Sequence, residues 1–452
     1  MQRKRFGSKT GLYEVNMQKN IRLQSLIMGS AMVLTGSANA LTLQEAVNEA
    51  LGTSPVVQRS ESVAQEAKWK KVEGYSGYLP TVTANATYLF DKKYALTNVK
   101  LGGNETIVPQ IVPNSQLVLT GTYPLFEGFA GMNRLRSATE GQNAANAELQ
   151  WTQFKTEMDV TLAFYKNMAN KTLKDVAAQN LKVLQDHLKD VKLFKSSGMA
   201  TNYDVLRVEV QVSNAETDLL NAEDNITISE HNLAEILGKD KSDITTTGDL
   251  PVLDESIVKN INEADIHDRL DVQALKSRVN SLSYNDSASG AYLVPRLSAF
   301  GQYQYYNNLN DSLTDTDKYR SAYQVGLQLS WNLFDAGVSF SRSKQSTEQL
   351  VQAEKTYRIT ELKAQKDLEI WKRKYNYYAN LYRARNSDIA RSKESMRLAR
   401  EGQRVGARTS SDLLDAEADL YRSQAGAVNA QLGAIEALVN LQTSIGKKIY
   451  TF

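Results

Sequence analysis

Asp412 and Asp415 stand three residues apart, just after a predicted helix start in the string Val405-Gly406-Ala407-Arg408-Thr409-Ser410-Ser411-Asp412-Leu413-Leu414-Asp415-Ala416. Side chains at i and i+3 share a helix face, so both carboxylates present acid to the same side. Acidic groups gathered on one face attract cations and raise each other's pKa. Asp412 also sits where a carboxylate caps a helix N-terminus and is favoured by the dipole, and for this residue both roles stay open. Other chemistry has little support. His187, His231 and His267 are far apart in helical contexts, with no cysteine or paired carboxylate at ligand spacing. They read as surface or seam residues, so no metal site and no general base is expected from them. A chain without cysteine has no disulfide, no thiolate-bound zinc or iron–sulfur cluster, no thiol nucleophile and no lipidated N-terminal cysteine. No G-x-S-x-G string and no phosphate-binding loop occurs. No catalytic residue and no cofactor is therefore expected, and an enzyme is the least supported class.

A chain of 452 residues suffices for two or three ordinary domains. The balance of 53 Lys plus Arg against 51 Asp plus Glu argues against nucleic acid, which needs a basic face. Arg3, Lys4, Arg5, Lys9, Lys19 and Arg22 precede a mostly apolar run from Leu23 to Leu34 that leads into Ala38-Asn39-Ala40. This is the pattern of a cleaved export signal, read over residues 1–40, with Met17 an alternative start. Its removal takes away six basic residues and one acidic one, leaving 47 against 50 and a net charge of −3. No later run is long and apolar enough for a transmembrane helix, so the exported chain is either soluble outside the inner membrane or inserted as a β-barrel.

The remaining chain is one pattern written twice. Val57-Gln58, Leu79-Pro80 and Tyr88 recur as Val272-Gln273, Val294-Pro295 and Tyr303 at an offset of 215. Tyr123 to Gly128 recurs as Trp331 to Ala336 at an offset of 208, which persists at Gly198 and Gly406, Asp204 and Asp412, and Glu209 and Glu417. An internal duplication accounts for this. The boundaries follow: a first repeat over 41–238, a linker over 239–260 with Gly248 and Pro251, and a second repeat over 261–452. The change of offset puts seven extra residues around Gly102-Gly103-Asn104, read as a longer surface loop.

Each repeat carries two segments of period two, expected as β-hairpins over about 81–126 and 296–334. Val82, Ala84, Ala86 and Tyr88 alternate with polar residues, as do Leu117 to Leu125, Leu297 to Tyr305 and Val325 to Leu333. Roughly ten residues suit a tilted bilayer crossing, although a small soluble sandwich alternates in the same way. Four strands cannot close a barrel, and open edges are not tolerated in lipid, so membrane strands of this kind require several chains to share one barrel. Long helical hairpins are expected over about 128–238 and 337–446, because residues 125–250 and 296–452 contain no proline. Leu173, Ala177, Asn180, Leu184, His187, Val191 and Phe194 form a heptad seam, repeated by Val428, Leu432, Ile435, Val439 and Gln442.

The string from Val405 to Ala416, closing with Leu441 to Lys447, resembles the outer-membrane efflux protein (TolC-like) family, and Ser197 to Leu206 is a weaker first copy. The likeness runs from Leu43 to the C-terminus. It implies an α+β membrane protein: a homotrimer in which twelve strands, four per chain, form one transmembrane β-barrel continued by a long barrel of α-helical hairpins. The periodicity by itself required only more than one chain. The resemblance further implies an outer-membrane channel with a large periplasmic part, the exit duct of a tripartite efflux pump or type I secretion system. Its partners would be outer-membrane lipid, a periplasmic adaptor protein docked at the hairpin-tip turns Gly198 and Gly406, and an inner-membrane transporter. Carried over onto this sequence, Asp412 and Asp415 would line a pore constriction. Arg408 would link to Asp204 and Tyr203 to hold the periplasmic end closed, and Gln403 stands where the family has a tyrosine. A periplasmic adaptor and a structural coiled-coil envelope protein are the alternatives. An adaptor should show one helical hairpin flanked by all-β modules, whereas here the hairpin occurs twice.

Overall fold

The computed structural model describes residues 41–90, 96–109, 113, 115–240, 244–252, 255–258, 266, 268–307 and 319–452. The export signal read at 1–40, and His267, lie outside the described residues. In chain order the elements are α1 (Leu43–Thr53), α2 (Pro55–Gly74), β1 (Thr81–Tyr88), β2 (Leu96–Leu101), β3 (Asn104–Pro109), β4 (Ser115–Phe126), α3 (Ala130–Ser196), α4 (Asn202–Leu237), α5 (Leu270–Ser289), β5 (Arg296–Asn307), β6 (Tyr319–Ser330), α6 (Val338–Arg404) and α7 (Ser410–Ile445).

The helices repeat to the residue. Both α3 and α6 run for 67 residues and both α4 and α7 for 36. At 1.5 Å per residue the long pair extends about 100 Å. Each is entered from the sheet by two successive left-handed residues, Gly128 and Phe129 in the first repeat, Ala336 and Gly337 in the second. Only one of the two is glycine each time, so the other bears a strain of about 1–2 kcal/mol. At Gly128 a Cβ would come within 2.2 Å of Val294 Cγ2, so the first repeat keeps its glycine at the crowded position.

The strands form a four-stranded antiparallel sheet in the order β1-β4-β5-β6 and a separate hairpin, β2-β3. That hairpin corrects the expected surface loop. Leu96–Leu101 pairs with Asn104–Pro109 across Gly102 and Gly103, both at positive φ, and a two-residue glycine turn of this kind matches strand twist. A second difference lies at β6, which stops at Ser330 and leaves Trp331 and Leu333 outside the strand. The register places Ala84 beside Leu119, Leu119 beside Tyr303, and Tyr303 beside Tyr323, so the apolar residues of all four strands fall on one face. The other face carries Thr81, Thr83, Gln116, Gln302, Gln304 and Gln324, with Gln304 Nε2 donating to Gln116 Oε1 at 3.1 Å and Gln324 bonded to Gln302. The apolar face is bare to a degree unusual for a soluble sheet: Val325 is 81% exposed, and Val82, Leu327 and Leu329 are exposed with it. No described helix is long and apolar enough to cross a membrane.

Below the sheet, α2 and α5 pack on the first halves of the rods, while α4 returns along α3 and α7 along α6. The main core lies where these pairs meet, with Leu233, Leu237, Tyr375, Ile435, Leu438 and Leu441 buried together. The segment read as a linker is docked there. Thr246 Oγ1 donates to Asn167 Oδ1 at 2.6 Å, Lys171 Nζ donates to the Thr246 carbonyl at 3.1 Å, and Gln431 Nε2 donates to the Leu250 and Pro251 carbonyls. Gln442, fully buried, ties down the final segment: its Oε1 accepts from the Ile449 N–H at 2.8 Å and the Tyr450 N–H at 3.0 Å. Gln442→Ala removes the acceptor of two backbone donors, and a loss of about 1–3 kcal/mol is expected in denaturant unfolding; an unchanged midpoint would show that the tie carries no stability.

Candidate functional site

The ends of the rods farthest from the sheet are built twice on one plan. α3 ends at a left-handed Gly198, with the Met199 N–H bonded to the Phe194 carbonyl at 2.8 Å, and α6 at a left-handed Gly406, with the Ala407 N–H bonded to the Gly402 carbonyl at 2.8 Å. This six-to-one bond with a glycine at C′ is how a helix satisfies its last carbonyls while the chain reverses. A Cβ at either glycine would meet nothing within 4 Å, so both tips are open surface.

The returning helix starts on a capping box in each copy. Thr201 donates its N–H (2.9 Å) and hydroxyl (2.6 Å) to Asp204 Oδ2 and accepts the Asp204 N–H at 3.2 Å. Thr409 repeats this with Asp412, at 2.8, 2.9 and 3.2 Å. The Thr201 hydroxyl and then its backbone N–H hold the Asp204 carboxyl below the usual carboxylate range, with Arg207 adding to the effect. For Asp412 the Thr409 N–H leads, its hydroxyl follows, and Arg408 contributes. Within one chain the expected mutual raising of carboxylate pKa is thus reversed at Asp412, because two donors stabilise its charged form. Capping is a real role of Asp412, and it fixes the carboxylate as an anion one turn from Asp415, which is exposed on α7.

The other expected gate residues are spread over the same tips. Tyr203 is exposed on the first turn of α4, and Arg408 lies over Gly402, where a Cβ would sit 2.6 Å from its Cγ. Among the described residues no hydrogen bond or ion pair joins Arg408 to Asp204 or Tyr203 within one chain. Gln403 turns instead to His187, its Nε2 donating toward His187 Nε2 at 3.3 Å.

That histidine opens the strongest polar cluster in the region. The His187 side chain is wholly buried, with Nδ1 2.9 Å from Glu417 Oε2 and Nε2 3.1 Å from Ser410 Oγ. Glu417, equally buried, also receives Arg400 on Oε1 at 3.3 Å. A carboxylate only accepts, so Nδ1 carries the proton toward Glu417, and in that neutral tautomer the single lone pair of Nε2 is shared between the Ser410 hydroxyl and the Gln403 amide. The cluster joins α3 of the first hairpin to α6 and α7 of the second, beside an apolar patch of Leu184, Val191, Val205, Val208 and Leu414. In the first repeat the matching pair is Lys192 with Glu209 at 2.8 Å, but it is exposed and has no histidine. The seam reading placed His187 in the core and did not find its partner. The available signal was Glu417, a carboxylate three residues beyond Leu414 on the apolar face of α7.

The family model described as outer membrane efflux protein matches residues 46–239 and 263–447, both repeats and almost all of the helical rods. The chain belongs to the outer membrane efflux protein family. The outer membrane protein TolC of Vibrio cholerae is 25% identical over 320 residues, covering 69% of this chain and 72% of that one. The outer membrane efflux protein BepC of Brucella suis is 22% identical over 330 residues, covering 72% and 70%. Among solved structures, the outer membrane protein VceC from Vibrio cholerae superposes with a TM-score of 0.76 at 17% identity, over 90% of this chain and 97% of that one. This efflux-family protein shares the fold of outer-membrane proteins such as VceC, and the family match over both repeats removes the adaptor and coiled-coil alternatives.

In this family member the repeat supplies its own control for the buried cluster. Glu417→Ala strands His187 and Arg400 and is expected to cost about 3–5 kcal/mol, while Glu209→Ala breaks a solvated pair and costs about 1 kcal/mol or less. Thermal or denaturant unfolding of the two variants side by side checks this; equal losses would show that the His187 cluster adds nothing to the junction.

Proposed function

We propose that this protein is the homotrimeric outer-membrane exit duct of a tripartite efflux pump or a type I secretion system, exported by a cleaved signal at 1–40 and gated at its periplasmic end. One observation carries the reading: a four-stranded sheet with an exposed apolar face and two outer edges unpaired among the described residues stands on helical rods about 100 Å long. Three sheets side by side make twelve strands, a closed barrel with its apolar face toward lipid and its threonines and glutamines toward water. The rods continue the wall into the periplasm. Energy and most substrate choice then belong to an inner-membrane transporter, reached through a periplasmic adaptor seated on the open tips at Gly198 and Gly406.

The tips form the gate. Three copies of Asp412 and Asp415 make two acidic rings around the axis, and a narrow ring of carboxylates concentrates cations. Capping supports this role for Asp412, since it keeps the side chain charged and its direction set. Arg408 of the second hairpin closes the aperture against Asp204 and Tyr203 of the first, with Gln403 in the place of a further closing contact. The capping bonds of Asp204 fall on Oδ2, so an ion pair through Oδ1 is compatible with them.

Purified protein in a planar lipid bilayer tests the two parts of the gate separately. Arg408→Ala combined with Asp204→Ala is expected to raise single-channel conductance several-fold, and unchanged conductance counts against the closing contact. Asp412→Ala combined with Asp415→Ala is expected to weaken block by multivalent cations about tenfold or more, and an unaltered block removes the acidic rings.

A further inference from the structure

Along the second half of α3, between α4 and α7, lies an open cleft of about 250 Å³. Its polar lining is four asparagines, Asn170, Asn221, Asn225 and Asn429, together with Asp218 and Tyr421. Leu173 and three alanines supply an apolar floor. Among the described residues no lysine or arginine lines it. Lys174 and Arg422, next in sequence to lining residues, are engaged with carboxylates of their own, Glu223 at 3.3 Å and Asp419 at 3.0 Å.

Asp218 is the one anion of this lining, and it is held in place. Burial first, then the charge of Asp218 and a hydrogen bond to it, push the Tyr421 phenol above its usual range. The phenol therefore donates to the carboxylate, α7 to α4, and leaves it further lone pairs for a ligand. Asn170 is oriented as well: its Nδ2 donates to the Asn225 carbonyl at 2.9 Å, so its Oδ1 is the atom left over.

The internal repeat shows how the same groove looks when it is filled. At the offset of 208, Asn170 and Ala177 of α3 correspond to Tyr378 and Arg385 of α6, and Asp218 and Asn225 of α4 to Gly426 and Gly433 of α7. There large side chains lie against glycines. A Cβ on Gly433 would come within 2.6 Å of the Tyr378 ring, and one on Gly426 within 3.4 Å of Arg385 Cδ. The second repeat thus fills its groove with a ring and a guanidinium of its own. The first carries neither, and has a carboxylate and a carboxamide where the second has glycines.

We propose that this cleft binds an aliphatic polyamine, with a primary ammonium on Asp218 and the asparagine oxygens and the methylenes over Leu173 and the alanines. An ammonium offers three donors and no acceptor, which a carboxylate and carboxamide oxygens match. The Tyr421 ring adds a face that attracts a cation. A ligand cation also takes the space that a guanidinium takes in the second repeat. The volume lies below the range of drug-sized sites and suits a slender chain. Asp218 follows Asp204, and Asn429 follows Asp415, by 14 residues, two heptads on each helix. Residues so spaced share a face of a packed helix, so the cleft opens on the side assigned above to the pore, about 21 Å behind the tips. This placement on the path to the aperture rests on the channel reading; the binding itself does not.

Full-length protein in detergent, carrying Asp412→Asn and Asp415→Asn to remove the tip charges while keeping a capping side chain, is titrated with spermidine by isothermal calorimetry. One saturable site per chain is expected. On that background Asp218→Asn should weaken binding about tenfold or more, since it removes a charge-assisted bond. Asn221→Lys, a change at an exposed residue that leaves the helix packing alone, should do the same by placing a cation in the cleft. Binding undiminished by both changes, or no saturable binding, overturns the cleft. Binding confined to protein that keeps Asp412 and Asp415 assigns the amine to the tips and overturns it as well. Single-channel recording of the same proteins is made in parallel: cleft binding without conducting pores upholds the site and overturns its place in a duct.

Discussion

A backbone N–H or C=O in hydrocarbon has no water to turn to, and each one left unpaired costs several kcal/mol. Among the described residues the sheet leaves two rows of unpaired groups, on the outer edges of β1 and β6, and an apolar face that nothing in the described chain covers, and the proposed membrane crossing would place them in hydrocarbon. Four strands cannot curl far enough to pair their own edges. The edges therefore demand neighbours. The demand runs down the molecule, because the strand that needs a neighbour continues directly into a rod whose flank is bare as well. Along α6, Phe340, Ile359, Leu362 and Tyr377 remain exposed, in line with the open edge of β6.

The rods solve a different problem. A helix of 67 residues is not sustained by propensity, and these carry little apolar bias toward any one face; they are held by the shorter helices laid along them. The largest core lies at the crossing of the helices, and a smaller apolar cluster of Leu184, Val191, Val205, Val208 and Leu414 lies just behind the tips. There the turns are secured locally, by a glycine that ends one helix and a threonine–aspartate box that begins the next. A tip built on local bonds keeps its shape if the hairpin as a whole shifts, which suits the gate proposed for it. The buried tie between His187, Glu417 and Arg400 sits just behind the tips, and it joins hairpins of one chain. Its repeat equivalent has an exposed lysine and glutamate and a serine, Ser395, in the place of the histidine. The two hairpins are alike in backbone and unlike in polar strength at these matched positions.

Much of this was legible in the residues. The offsets of 208 and 215 hold from sequence to coordinates because each repeat packs on itself with the same helix lengths. The absence of proline over 296–452 and the glycines at 198 and 406 marked where helices run and where they end, since both residues act through the backbone alone. The Gly102-Gly103 turn was equally local and was missed, because the nearby prolines at 109 and 113 read as loop. Trp331 and Leu333 were placed in a strand by alternation; the single chain does not pair them, for pairing depends on a neighbour and not on the pattern.

By itself the sequence determined the duplication, the helix and strand types and the family, all of which rest on periodicity, punctuation and motif, properties of short stretches of chain. Only the tertiary structure decided that the segment after α4 is docked and not a free linker, that Asp412 is engaged as a cap, and that His187 meets Glu417 across 230 residues. The cap is local, but the docked segment and the His187–Glu417 contact depend on how helices distant in sequence, such as α3 and α7, lie against each other, and a shift of a single residue in that packing changes every partner while leaving each helix, as a sequence pattern, the same.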